Sequence, residues 1–155
     1  MSLEEEAKML RNIGLFAHLD PSKLKLLAFT SHWLKFQPGE ELCHEGDPGD
    51  SAYIITDGTA EVLVDSEAGP VLIAVRGKNE VIGEMSILCD TPRTATVRAK
   101  ETCFALSVSK DVFMQLLKGS PELSVQIIRT LANRLEESTA KLRDATEKLV
   151  AAGLD

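Results

Sequence analysis

The sequence predicts a mainly β, α+β fold: an antiparallel β-roll or jelly-roll barrel with short helices before it and long helices after it. Three observations carry this. From residue 33 to residue 108, short apolar and β-branched runs alternate with Gly, Pro and Asp turn residues. A glycine-led stretch of helical character interrupts that run at residues 83–99. Beyond it, apolar residues recur at heptad spacing as far as about residue 152.

Composition narrows the possibilities. A chain of 155 residues suits one domain, 1–155, and is long enough to bury a real core. Apolar residues make up 44% and charged residues 26%, the mix of an ordinary globular protein. A net charge of −7 argues against general affinity for nucleic acid or an anionic membrane, although a single phosphate needs only local positive charge. Cys43, Cys89 and Cys103 show no CxxC or Cys/His spacing, so reduced, partly buried thiols are expected. No apolar run approaches the ~20 residues that span a bilayer, and no signal-peptide pattern is present, so a cytoplasmic location is expected.

The N-terminal helices are expected within residues 4–30. Met9, Leu10, Ile13 and Phe16 recur near helical spacing over residues 4–18. Asp20-Pro21 then supplies an N-cap acceptor and a proline at the first helical position, with Leu24, Leu27 and Ala28 as the apolar stripe.

Strands follow at 33–36, 41–44, 52–55, 60–64, 71–75, 94–99 and 102–108. Asp57-Gly58 reads as a hairpin turn between the third and fourth. Ser109 can cap a short helix ending at Gly119, and Ser120-Pro121 starts a long one, which gives C-terminal helices over 110–152. Along the long helix Ile128, Leu131, Leu135, Ser138, Leu142, Ala145 and Leu149 step by 3 and 4. That narrow seam favours dimerisation over packing back on the sheet.

The interrupting stretch carries the chemistry. Gly83 opens a short helix with Glu84 at its first position, Thr91-Pro92 breaks it, and Arg93 leads the next strand. Helix N-termini hold free N–H groups and partial positive charge, so an anion is favoured there. Arg93 adds a full charge and a forked donor. A helix between two strands of a roll is also a local breach through which a small ligand can enter. Competing roles are a helix-dipole partner for Glu84 and an ion-paired strand residue for Arg93.

Taken together these residues resemble the cyclic nucleotide-binding domain family over nearly the whole chain. The resemblance includes Ile13-Gly14-Leu15-Phe16, Leu19, Pro38-Gly39-Glu40, Gly46-Asp47-Pro48-Gly49-Asp50, Tyr53-Ile54-Ile55 and Gly58. Residues 83–99 are similar to the family's phosphate-binding cassette: Gly83-Glu84, then a leucine, then Arg93, Ala95 and Val97. The resemblance implies a ligand rather than a cofactor, cyclic AMP or cyclic GMP. It implies that Glu84 accepts from the ribose 2′-hydroxyl and that Arg93 pairs with the cyclic phosphate. Ala95 and the backbone amides of Gly83, Met85 and Ser86 would crowd that phosphate, with Ile82 and Thr94 also among the expected ligand-binding residues. Ser86 stands where many members carry alanine.

Thr94 is found in binders of either nucleotide and does not decide between them. Residues 131–139 resemble the dimer helix of the bacterial catabolite activator group, which places Ser138 and Thr139 where paired hydroxyls contact adenine, one from the partner subunit, and puts Arg134 among the expected ligand-binding residues. Ser138 is equally readable as a register-setting polar position in the seam. On balance the resemblance favours cyclic AMP.

The expected function is that of a non-enzymatic sensor module, a homodimer that passes occupancy through its C-terminal helix to an unidentified output protein. The alternative is the ligand-sensing fragment of a Crp/Fnr-type regulator. Such regulators place a helix-turn-helix after the long helix, and this sequence ends at Asp155, so the chain alone is not expected to bind DNA. A cupin-like metalloenzyme would need clustered histidines. His18, His32 and His44 are scattered, and only His44 falls plausibly within the roll, so no metal site is expected. No His or Cys pair suits haem.

Overall fold

The computed structural model describes residues 2–154, with helices at both ends of the chain and eight strands between them. Helix α1, Leu3–Arg11, starts where the Ser2 hydroxyl accepts from the Glu5 N–H at 3.2 Å. The helix expected over 4–18 ends early. Ile13 takes an extended conformation, and a single 3-10 turn follows at Gly14–Phe16. Leu10, Ile13 and Phe16 are nevertheless all buried. Helix α2, Pro21–Thr30, is capped by Asp20, whose carboxylate accepts from the Lys23 N–H at 3.0 Å and the Lys23 ammonium at 3.1 Å.

The strands form two antiparallel four-stranded sheets. The first contains β1 (His32–Phe36), β3 (Ser51–Asp57), β6 (Val81–Ile82) and β8 (Cys103–Ser109), in the order β1-β8-β3-β6. The second contains β2 (Glu41–Cys43), β4 (Ala60–Ser66), β5 (Gly69–Arg76) and β7 (Thr96–Ala99), in the order β2-β7-β4-β5. Among the described residues no pairing joins the two sheets, so the arrangement is the double-sheet jelly roll rather than a closed barrel.

Three expectations need correction. Asp57-Gly58 is not a hairpin: β3 pairs with β8 and β6, whereas β4 pairs with β5 and β7. The turn carries the chain from one sheet to the other, and Gly58 has a φ of 84°, with a Cβ there falling 2.2 Å from the Thr102 carbonyl oxygen. The hairpin lies one strand later, where Ser66 faces Gly69 across a two-residue loop. Strand β6 has only two residues, too few to show a period, and was not expected. Strand β7 starts at Thr96 rather than Thr94, which leaves Arg93, Thr94 and Ala95 outside the ladder.

The central strands of the first sheet, β3 and β8, bury residues on both faces, whereas β1 is largely exposed. Ala52, Ile54, Leu106 and Val108 meet Leu10, Phe16, Leu27, Phe113 and Leu123 of the helices. On the opposite face Ile55, Cys103 and Ala105 meet Leu42, Ala60, Val97 and Ala99 of the second sheet. This is the two-residue alternation of a strand, with apolar residues on both sides.

Helix α4, Lys110–Gly119, is capped by Ser109, and α5, Pro121–Ala151, by Ser120. Leu123 and Ile127 anchor the start of α5, and Leu131 is partly buried. Farther along, Leu135, Leu142 and Leu149 are exposed, as is Ile128 nearer its start. No helix among the described residues is long and apolar enough to cross a membrane.

Two outcomes are expected. Leu106 lies fully buried in β8 between two neighbouring strands, so Leu106→Ala should destabilise the fold by about 2–5 kcal/mol in urea denaturation. The Lys23 N–H, then the Ser22 hydroxyl and the Lys23 ammonium, hold the Asp20 carboxyl down at about 2. A lowered folded-state value stabilises above the ordinary carboxylate range and is lost as pH falls. Thermal melts should therefore show wild type above Asp20→Asn at pH 6, with the gap closing between pH 4 and pH 2.

Candidate functional site

Strand β6 ends at Ile82, and Gly83 turns the chain into α3, Glu84–Leu88. Gly83 is required there twice over: its φ is 82°, and a Cβ would lie 2.4 Å from Nη1 of Arg93. Asp90, also at positive φ, closes the turn and receives the Lys110 ammonium at 2.8 Å.

Arg93 is held by its backbone and its side chain. Its N–H donates to the Asp47 carbonyl at 2.8 Å, and its carbonyl accepts from the Gly46 N–H at 2.9 Å. The Gly46–Asp50 turn therefore clamps the arginine. Gly49 allows that approach, because a Cβ there would fall 2.2 Å from the Ser86 hydroxyl.

Arg93 is only 5% exposed. Nη1 donates to the Gly83 carbonyl at 3.2 Å and the Ser86 hydroxyl at 3.1 Å, while Nη2 donates to the Ser51 carbonyl at 2.7 Å. The Tyr53 ring lies 5.8 Å away. Its one carboxylate within 4 Å, among the described residues, is Asp50 at 3.9 Å, and that side chain is 86% exposed. A buried cation surrounded mostly by neutral oxygens favours an incoming anion.

The second charged group is Glu84, also buried. Its Oε1 accepts from Nη1 of Arg134 at 2.7 Å, and Nη2 of Arg134 donates to the Val81 carbonyl at 2.7 Å. Nε of Arg134 is buried without a hydrogen-bond partner among the described residues. Burial pulls the Arg134 pKa below the ordinary arginine value, and the Glu84 charge opposes that shift. Glu84 thus links the site to α5, a role its sequence position did not disclose.

These groups line a mostly apolar cavity of about 640 Å³, within the roughly 300–1,000 Å³ usual for small-molecule sites. Ile82, Gly83, Glu84, Met85, Ser86, Arg93, Thr94, Ala95, Arg134 and Ser138 all border it. Thr139 does not; it is exposed on α5 outside the cavity of its own chain.

Sequence reasoning missed the wall from β4 and β5, formed by Val62, Val64, Ile73, Ala74 and Arg76. The Val62–Val64 spacing marks one strand face, but nothing local shows that this face borders a cavity. Arg93's supports, Ser51 and Tyr53, come from β3 and were equally hidden. His44 lies outside, with Nδ1 3.0 Å from Glu41, whose hydrogen bond raises its pKa. Among the described residues, no three His, Cys, Asp or Glu side chains converge as a metal site.

The family model described as "Cyclic nucleotide-binding domain" matches residues 33–120. The chain belongs to that family. It is a cyclic nucleotide-binding regulatory domain, of a kind that is typically non-catalytic. The domain is 30% identical over 138 residues to a CRP-like cAMP-activated global transcriptional regulator of Mycobacterium tuberculosis, covering 88% of this chain and 62% of that protein. It spans, then, about three-fifths of that regulator's length. A cAMP-binding acyltransferase from Mycobacterium smegmatis is 32% identical with a TM-score of 0.74, over 87% of this chain and 42% of the other. The regulatory subunit of a cAMP-independent protein kinase A from Trypanosoma brucei has a TM-score of 0.75 at 25% identity, over 90% and 51% of the two chains.

The double constraint on Gly83 predicts that Gly83→Ala will cost about 1–3 kcal/mol of stability through backbone strain. It should also displace the guanidinium and weaken cyclic nucleotide binding. Denaturation and calorimetry on the same variant check both.

Proposed function

We propose that this domain is a sensor for cyclic AMP, with cyclic GMP the second candidate, and that it transmits occupancy through α5. The carrying observation is that one cavity is bordered both by a buried Arg93, whose one carboxylate within 4 Å among the described residues is the exposed Asp50, and by a buried Glu84 that is bonded to Arg134 of the long helix. The cyclic phosphate, a single negative charge, would sit against Arg93 and the start of α3, near Ala95. The ribose 2′-hydroxyl would donate to Glu84. The base would lie among Val62, Ile73, Leu131 and Leu135, with Ser138 and Thr94 as nearby hydroxyls. Two relatives described as activated by or binding cAMP support the adenine reading.

A ligand bridging Arg93 and Glu84 would bear on Arg134 and so on the position of α5. That shift is limited by the ligand's differential affinity for the two positions. The exposed seam of Ile128, Leu135, Leu142 and Leu149 supports a homodimer through α5, and within such a dimer Thr139 would face a partner copy. The domain would occupy 1–155, of which Met1 and Asp155 lie outside the described residues. The longer mycobacterial relative supports a second reading, in which the same module is the ligand-sensing part of a Crp/Fnr-type regulator.

Calorimetric titration with each nucleotide tests the proposal. Cyclic AMP should bind more tightly than cyclic GMP. Arg93→Leu should lose about 100-fold or more in affinity, the scale expected when one partner of a buried charge pair is removed. The 2′-deoxy analogue should bind more weakly to wild type and show a smaller further loss in Glu84→Gln. A folded wild-type protein that binds neither nucleotide would sink the reading.

A further inference from the structure

One polar face of α5 crosses the cavity wall, and its charges alternate along the helix. Arg134 donates to Glu84 of α3 at 2.7 Å. One turn later Glu137 lies 3.9 Å from Arg76 of β5. One turn beyond that, the Lys141 ammonium donates to the Ile73 carbonyl at 2.9 Å. Steps of 3 and 4 keep all three on one side of the helix.

Arg76 is the central member of this row. It lines the cavity, and its side chain is only 17% exposed. Among the described residues that side chain makes no hydrogen bond, and its other carboxylate is Glu80 at 3.6 Å. Glu80 is itself fixed, because its second oxygen accepts from the Gly77 N–H at 2.6 Å. The cation is thus anchored on the sheet side and reaches across to the helix.

We propose that Arg76 is a positioning residue for ligand capture: with Glu137 it sets the axial register of α5 over the cavity. Sliding the helix by one turn, about 5.4 Å, fails in either direction. One slide places Glu137 opposite Glu84 and Lys141 opposite Arg76, two like-charge contacts. The other places Arg134 opposite Arg76 and brings the Glu137 carboxylate against the Ile73 carbonyl. Only the observed register pairs opposite partners at all three levels. Leu131, Leu135 and Ser138 border the cavity because of that register, so slippage would replace the helical wall with other side chains. The consequence for ligand rests on the cyclic nucleotide reading, whereas the register itself does not.

A charge-reversal cycle tests the proposal: Arg76→Glu, Glu137→Arg and the double variant, with Glu137→Gln as a mild control. In ligand-free protein, spin labels on Ala68 and Arg143, in a background with Cys43, Cys89 and Cys103 replaced by serine, report the helix position. Wild type should give one narrow distance, each reversal a broadened or displaced one, and the double variant should recover the narrow distance. Glu137→Gln should broaden it less than Glu137→Arg. Dissociation of bound cyclic AMP should be about tenfold faster in each reversal, the size of a 1.4 kcal/mol change, and return to within about twofold in the double variant. Single reversals that leave the distance unchanged, or a double variant no better than the worse single one, would overturn the proposal. If wild type binds no cyclic nucleotide, the functional reading fails and the label distances still decide the register.

Discussion

A buried guanidinium without a close counter-charge is the constraint around which this domain is arranged. Taking a cation out of water costs several kcal/mol unless its donors are satisfied. Here the carbonyls of Gly83 and Ser51 and the hydroxyl of Ser86 provide that satisfaction. They come from different parts of the chain, so β3, the start of α3 and the Gly46–Asp50 turn must all be in place before Arg93 can be. The glycines at 49 and 83 exist to let those segments close around it. Neutral oxygens satisfy the donors but not the charge, and that remainder is the attraction the site holds for an anion.

The site and the core share part of their surface: Val81, Ile82 and Val97 belong to the buried clusters and also border the cavity. In the first sheet β3 and β8 use both faces for packing, against the helices and against the second sheet, whereas β6 also borders the cavity. The cavity draws on side chains of β2, β4, β5, β6 and β7, together with α3 and α5. Substitutions at Val64, Ile73 or Ala74, which border the cavity outside the buried clusters, can therefore reshape it while leaving the central packing intact. Edge strand β5 also exposes Val71, Leu72, Ile73 and Val75, an uncommon density of apolar residues at a sheet margin. The helix crossing this strand is held to it by polar contacts, which are directional and specify position more sharply than apolar contact does.

Much of the fold was legible because its signals are local. Asp20-Pro21, Ser109 and Ser120-Pro121 mark helix starts by their own chemistry, and each helix begins there. That Gly83, Glu84 and Arg93 come together was legible for the same reason, since they lie within one short segment and border one cavity. What was hidden depends on partners distant in sequence. Asp57-Gly58 has the composition of a hairpin turn, but β3 pairs instead with β8, some fifty residues away, and with the two-residue β6. Ser51 supports Arg93 from 42 residues away, and Arg134 reaches Glu84 across 50. Spacing within a motif cannot reveal an acceptor contributed by another layer.

Ser120 is both the last cap of α4 and the first cap of α5, with φ −134° and ψ 98°. One residue therefore separates an embedded helix from one of 31 residues, about 46 Å long. Such a joint makes α5 a lever with its fulcrum at the packed end. Arg134 lies about 20 Å along it at 1.5 Å per residue, so a sideways shift of about 1 Å there becomes roughly 2 Å at Ala151. Mechanical gain of this kind requires only a stiff helix pivoting at one backbone position.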